Sequence, residues 1–164
     1  MSEFLRVCLG ARAAASVLLV LALLAGAYLS GLRLSFNLSG SLPHRVFLTV
    51  RGGEISCGPE SIGLFRLNMR NPYWDYGTVF AKRFVGCPGD TLRTQGREFY
   101  LNGERVAVAS GHDSNGAAVS SFRHDGVIPP GSYFVLGEGE RSYDSRYWGF
   151  VRKSWIVGRG FPLF

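Results

Sequence analysis

The chain has 164 residues, 46% hydrophobic and 13% aromatic, which is enough to close one core and too apolar for a disordered segment. Eighteen Lys and Arg against twelve Asp and Glu give a net charge of +6, but the basic residues are dispersed without a run, which argues against a nucleic-acid partner and suits an anionic membrane surface. Twenty-two glycines and seven prolines without period exclude collagen-like chains and helical bundles, and predict a mainly β fold of short strands joined by turns.

Between Arg12 and Arg33 run twenty uncharged residues, Ala13 to Leu32, about the length that crosses hydrocarbon as a helix. A cleavable export signal is the alternative: Arg6 and Arg12 would form its basic region, and Ala25-Gly26-Ala27 has the small-x-small form of a cleavage site. The apolar run continues through Tyr28, Leu29, Leu32 and Leu34, which favours an uncleaved anchor. Arg6 and Arg12 against Glu3 put the N-terminus inside and the folded part outside. The expected organisation is a cytoplasmic stub and transmembrane anchor over 1–34, then a β-rich domain over 35–164.

Asn37 to Pro43 is a polar turn leading into a strand over Arg45–Val50, and Glu54–Cys57 is expected as a second short strand, closed by Gly58-Pro59. No pattern emerges from Gly58 to Gly77; its Tyr73, Trp74 and Tyr76 fit a local core plug or a membrane-interface contact. In the next strand, Phe80, Lys82 and Phe84 share one face and Ala81, Arg83 and Val85 the other. Lys82 between two phenylalanines is then either a desolvated amine, neutral enough to act as a base, or an edge lysine that snorkels to water. Arg83 is expected to point to solvent. Asn102-Gly103 between apolar flanks is a hairpin signal, Ser110–Ser121 reads as a surface loop, and strands are expected at Ser132–Gly137 and Trp155–Val157.

Of the three cysteines, Cys8 lies beside the apolar segment, so only Cys57 and Cys87 can pair in the folded domain. No His, Cys and carboxylate cluster has metal spacing. A serine needs a neighbouring base to become a nucleophile. His112-Asp113 and His124-Asp125 offer a Ser-His-Asp arrangement, but adjacent side chains in a polar stretch diverge; Cys57 and Cys87 sit in no activating setting.

Three stretches remain: Ser39-Gly40-Ser41 with Pro43, Lys82 to Asp90, and Ser142-Tyr143-Asp144-Ser145-Arg146-Tyr147-Trp148-Gly149. In that order they resemble signature boxes of the type I signal peptidases, membrane proteases with a Ser/Lys dyad. Proline two residues after Ser41 is closer to the conjugative-transfer branch, the TraF-type peptidases, although Arg45 stands where that pattern has glycine. The chain also leaves no room for a large second β domain, which points to the same branch.

The resemblance implies a signal-peptidase-like β domain behind a single N-terminal transmembrane helix. Ser41 would be the nucleophile, Lys82 the general base, and the Ser41 N–H with the Ser39 hydroxyl the oxyanion donors. Ser142 would orient the lysine, and Asp144 with Arg146 would brace the site; a plain salt bridge holding a turn explains that pair equally well. The implied substrate is a precursor with small residues before the cut, foremost the pilin precursor of a conjugation system, with conjugation or secretion machinery as partner. The implied location is the bacterial inner membrane with a periplasmic catalytic domain, and no metal or other cofactor is implied. A non-catalytic anchored β-domain for pilus or secretion assembly is the alternative from a different class.

Overall fold

In the computed structural model, residues 3–37, 40–52 and 54–164 are described, with side chains from Arg12 onward. Helix α1 covers Glu3–Leu29, and its apolar stretch Arg12–Leu29 is buried nowhere against the rest of the protein, so its length and composition suit a membrane span. The apolar run does not stay helical to its end. Ser30 N–H closes on the Gly26 carbonyl at 2.9 Å and Gly31 takes φ +79°, a left-handed stop that glycine tolerates. Leu32 and Leu34, expected in the span, belong instead to strand β1.

The strands are β1 (Leu32–Phe36), β2 (Val46–Arg51), β3 (Ile62–Arg66) and β4 (Val79–Gly86). They continue as β5 (Thr91–Gln95), β6 (Glu98–Leu101), β7 (Glu104–Val108) and β8 (Asp125–Val127). After β9 (Ser132–Leu136) come a one-turn helix α2 (Ser145–Trp148), β10 (Val151–Arg152) and β11 (Ile156–Pro162). Seven strands form an antiparallel sheet in the order β1-β2-β11-β3-β4-β9-β10, and four form a smaller sheet, β7-β6-β5-β8. The mainly β architecture is as expected, and Asn102 (φ 50°) with Gly103 (φ 90°) makes the β6–β7 hairpin turn in the left-handed backbone that such turns require.

Strand β9 of the larger sheet is packed on both faces. Its Tyr133 and Val135 pack with Phe65, Phe80, Phe84 and Val151 in one core, while its Phe134 and Leu136 pack with Leu92 and Phe99 of the smaller sheet and with Ile128 just after β8. This alternation within one strand is the period-two rule with both faces buried.

Three segments depart from expectation. Glu54–Cys57 forms no strand: Ile55 enters the core while the segment's end is held by Gly58 N–H to the Phe84 carbonyl at 2.9 Å and by a disulfide from Cys57 to Cys87. One side chain and one cross-link thus fix it without a ladder. The unpatterned stretch before Gly77 contains β3, the strand between β11 and β4, buried at four of five positions. The last strand runs to Pro162 and lies between β2 and β3.

Candidate active site

Burial along β4 alternates as the sequence demands: Phe80, Lys82 and Phe84 are buried, whereas Ala81, Arg83 and Val85 are half-buried. Lys82 is only 2% exposed, so it does not snorkel to water. Its Nζ lies 5.7 Å from the Phe80 ring centre and donates to Ser142 Oγ at 2.7 Å. Desolvation lowers the amine from its ordinary 10.5 to about 8; the Asp144 carboxylate opposes that shift and the Arg146 guanidinium adds to it.

Ser41 is 7% exposed and lines, with Lys82, Ser142 and Phe80, one open pocket of about 300 Å³. It is placed by its backbone. The Ser41 carbonyl accepts from Glu138 N–H at 2.8 Å, so the loop after β9 holds the serine segment at the pocket that Phe80 and Lys82 of β4 line. Gly137, at the start of that loop, has no room for a side chain: a Cβ would collide with Ser142 and come within 3.0 Å of the Ser41 carbonyl.

Asp144 is fully buried and Arg146 nearly so. Two guanidinium hydrogen bonds join them, Nε to Oδ1 at 2.8 Å and Nη2 to Oδ2 at 2.7 Å. Arg146 also donates to the Gly139 and Ser142 carbonyls at 3.1 and 3.0 Å, while Asp144 accepts from Gly137 N–H at 2.9 Å and from Arg146 N–H at 3.1 Å, capping α2. The pair therefore knits residues 137–146 into one rigid turn behind the pocket, without lining it. Such a pair is costly to break from one side, because the remaining charge stays buried.

Ser41, Lys82 and Ser142 thus come together at one pocket, with Asp144 and Arg146 behind it. Ser39 lies outside the described residues. Among the described residues lining this pocket there is no histidine, and His44, His112 and His124 all lie outside it. The Cys57–Cys87 bridge, with Cα atoms 5.5 Å apart, ties the end of β4 to the preceding segment. Among the described residues no His, Cys, Asp and Glu group has the placement to hold a metal ion.

Arg83 departs from its expected solvent role. Its guanidinium is ion-paired with Glu138, the residue that holds Ser41 by its N–H, and lies 3.8 Å from Glu60. The sequence reading also missed Trp74, Arg141 and Tyr143, which complete the pocket wall. The aromatic composition of 73–76 was the available signal for Trp74; nothing in the pattern marked Arg141.

The family model described as signal peptidase, peptidase S26 matches residues 11–164, and the chain belongs to that family. It is 37% identical over 93 residues to probable signal peptidase I-2 of Synechocystis, a match covering 55% of this chain and 40% of that protein. Signal peptidase I V of Bacillus subtilis is 32% identical over 91 residues, covering 49% of this chain and 54% of the relative. Conjugal transfer protein TraF of Agrobacterium fabrum is 34% identical over 85 residues, covering 51% and 47%. The chain spans about half the length of the curated relatives it matches.

Proposed function

We propose that the protein is a membrane-anchored serine endopeptidase that uses a Ser41–Lys82 dyad to cut signal or leader peptides from exported precursors. The buried Lys82 amine is the observation that carries this proposal. Held to Ser142 at 2.7 Å in the pocket that Ser41 lines, and lowered to about 8, it is half neutral at pH 8 and about one-tenth neutral at pH 7.

In the reaction, neutral Lys82 takes the Ser41 hydroxyl proton as Oγ attacks the scissile carbonyl carbon. The Ser41 N–H, with the Ser39 hydroxyl, receives the developing oxyanion. Collapse breaks the C–N bond, and the leaving amine takes the proton back from Lys82. Water, deprotonated by the same lysine, then attacks the acyl ester; the C–Oγ bond breaks and the lysine returns its proton to Ser41 Oγ. Ser142 Oγ accepts a hydrogen bond from the amine and so aims it, and Asp144 with Arg146 keeps Ser142 in place through its carbonyl.

An extended substrate would add its backbone to a strand edge, with shallow pockets selecting small residues before the cut. The proline following Ser41 by two residues and the TraF relative favour the pilin precursor of a conjugative transfer system as substrate and that machinery as partner. The exposed apolar helix α1 favours a single-pass location in the bacterial inner membrane, N-terminus inside and peptidase domain in the periplasm. The relatives named signal peptidase I favour a second reading, a general signal peptidase.

Ser41→Ala and Lys82→Ala variants, each co-expressed with a tagged pilin precursor or a tagged secreted precursor, test the proposal. Both variants should accumulate the uncut precursor. Processing that persists in either one would falsify the dyad, and loss of pilus assembly with processing intact would indicate a scaffold. The precursor that the unaltered protein cuts decides between the two substrate readings.

A further inference from the structure

Beyond the pocket of Ser41 and Lys82 lies a second cleft of about 220 Å³, and Trp74, Arg141 and Tyr143 line both. The two cavities are therefore adjoining parts of one groove. The second is walled by Tyr73, Tyr143 and Tyr147, and Val119 also lines it.

Two loops build this cleft together with the segment that carries Arg141, Tyr143 and Tyr147, and hydrogen bonds hold each loop in shape. In the first, Asn71 Oδ1 accepts from Tyr73 N–H at 3.0 Å and Trp74 N–H at 2.9 Å, fixing the aromatic tip. In the second, which enters from the smaller sheet, Asp113 Oδ1 accepts from Asn115 N–H and Ala117 N–H, each at 2.9 Å. Tyr73 hydroxyl donates to Asp113 Oδ2 at 3.1 Å, joining the two loops, and Ser110 N–H donates to the Tyr147 hydroxyl at 3.0 Å. The Tyr73 and Tyr143 rings meet edge to face, with centroids 4.8 Å apart. A cleft held open in this way is preorganised to receive a side chain without first ordering its walls.

We propose that this cleft is a substrate subsite that takes one bulky apolar side chain, preferably aromatic, of the peptide being cut, outside the small residues that sit next to Ser41. The inference rests on the peptidase reading and deepens it. Three shared lining residues make the cleft continuous with the pocket of Ser41, so an extended peptide leaving that pocket passes over it. Tyrosine faces and edges favour a ring, which can add a further edge-to-face contact. The charges at the cleft do not select for one sign, since Asp113 is accompanied by Arg141 and His112.

The test uses the full chain in detergent micelles and internally quenched peptides with alanine at the first and third positions before the cut. Phenylalanine, alanine or lysine is placed at each other position in turn, up to five residues on either side. At one position phenylalanine should raise kcat/KM about tenfold over alanine, equivalent to about 1.4 kcal/mol. Val119→Trp fills the cleft from a half-buried surface loop and should bring that ratio close to one. Ser114→Trp, which fills it from the exposed rim, is the second variant. Because the readout is a ratio within each variant, a general loss of activity does not imitate it.

Peptides that are cut with no position preferring phenylalanine would overturn the subsite and leave the peptidase intact. So would a preference unchanged in both filled variants, or a preference for lysine in place of phenylalanine. Failure to cut any peptide would overturn the peptidase reading itself.

Discussion

Arg83 and Glu138 form an ion pair, and the same Glu138 donates its backbone N–H to the Ser41 carbonyl at 2.8 Å. Adjacent residues on opposite faces of β4 therefore reach one pocket by different routes: Lys82 points into it, while Arg83 grips the loop that holds the serine segment. Both side chains are partly exposed, Arg83 24% and Glu138 35% accessible, so the pair contributes little to global stability. Its effect should fall on geometry.

Arg83→Ala should lower kcat about tenfold with KM little changed, since it loosens the placement of Ser41 and removes no proposed substrate contact. The melting temperature should stay within a few degrees. The charge reversal Arg83→Glu with Glu138→Arg should recover part of the loss. Activity equal to the unaltered protein in Arg83→Ala would return Arg83 to a plain solvated role. Steady-state kinetics on a quenched peptide provides the measurement.

The Lys82 amine sets the expected pH dependence. Its folded pKa, about 8, is lowered from 10.5, so kcat/KM should rise with pH and level off above about 8 as the base becomes neutral. The stability effect runs in the same direction. Between the two values the unfolded chain binds more protons than the folded one, so stability rises with pH across that window and is depressed below it. Lys82→Met, inactive but apolar and of similar length, should therefore be more stable than the unaltered protein at pH 7, by at most about 3 kcal/mol. The gap should narrow as pH approaches 10. Urea unfolding at both pH values measures it, and a variant less stable at pH 7 would contradict a desolvated lysine.

Strand β4 could be read from the sequence because one of its faces is fully buried and the other only half so, which leaves a visible alternation around Lys82. Strand β3 could not be. Ile62, Gly63, Leu64 and Phe65 are all buried, so the run carries no period, and Gly63 looks like a loop residue until Phe84 and Ile55 are seen to fill the space its Cβ would take. The boxes around Ser41, Lys82 and Ser142 were legible as motifs. The Arg83–Glu138 pair and the aromatic cleft were not, because they join residues far apart in sequence, and no local pattern encodes a contact between separate loops.

Gly137 is expected to tolerate no side chain. Its Cβ would press on the Ser142 side chain and the Ser41 carbonyl together, so Gly137→Ala should displace both the partner of Lys82 and the serine segment. A displacement of about 1 Å at such a site costs on the order of 100-fold in rate. Gly139→Ala, two residues on in the same loop, is the control: its Cβ would meet only the Gly40 carbonyl, at an ordinary 3.7 Å. Comparable kcat/KM in the two variants would show that the turn absorbs the added methyl and that the close fit is not needed.

The Cys57–Cys87 bridge spans 30 residues and fastens the unladdered segment carrying Ile55 to the end of β4. Closing a loop of that length restricts the unfolded chain, by a chain-entropy estimate of about 3 to 4 kcal/mol. The periplasm proposed for this domain is an oxidising compartment, so alkylation without reductant followed by mass spectrometry should find both thiols protected. Replacing both cysteines by serine should lower the unfolding free energy by about that amount. It should leave the Lys82 pH profile where it was, because Lys82 is held through Ser142 and the 137–146 turn. Two freely alkylated thiols would remove the bridge, and a shifted pH profile in the serine variant would show that the end of β4 also sets the environment of the lysine.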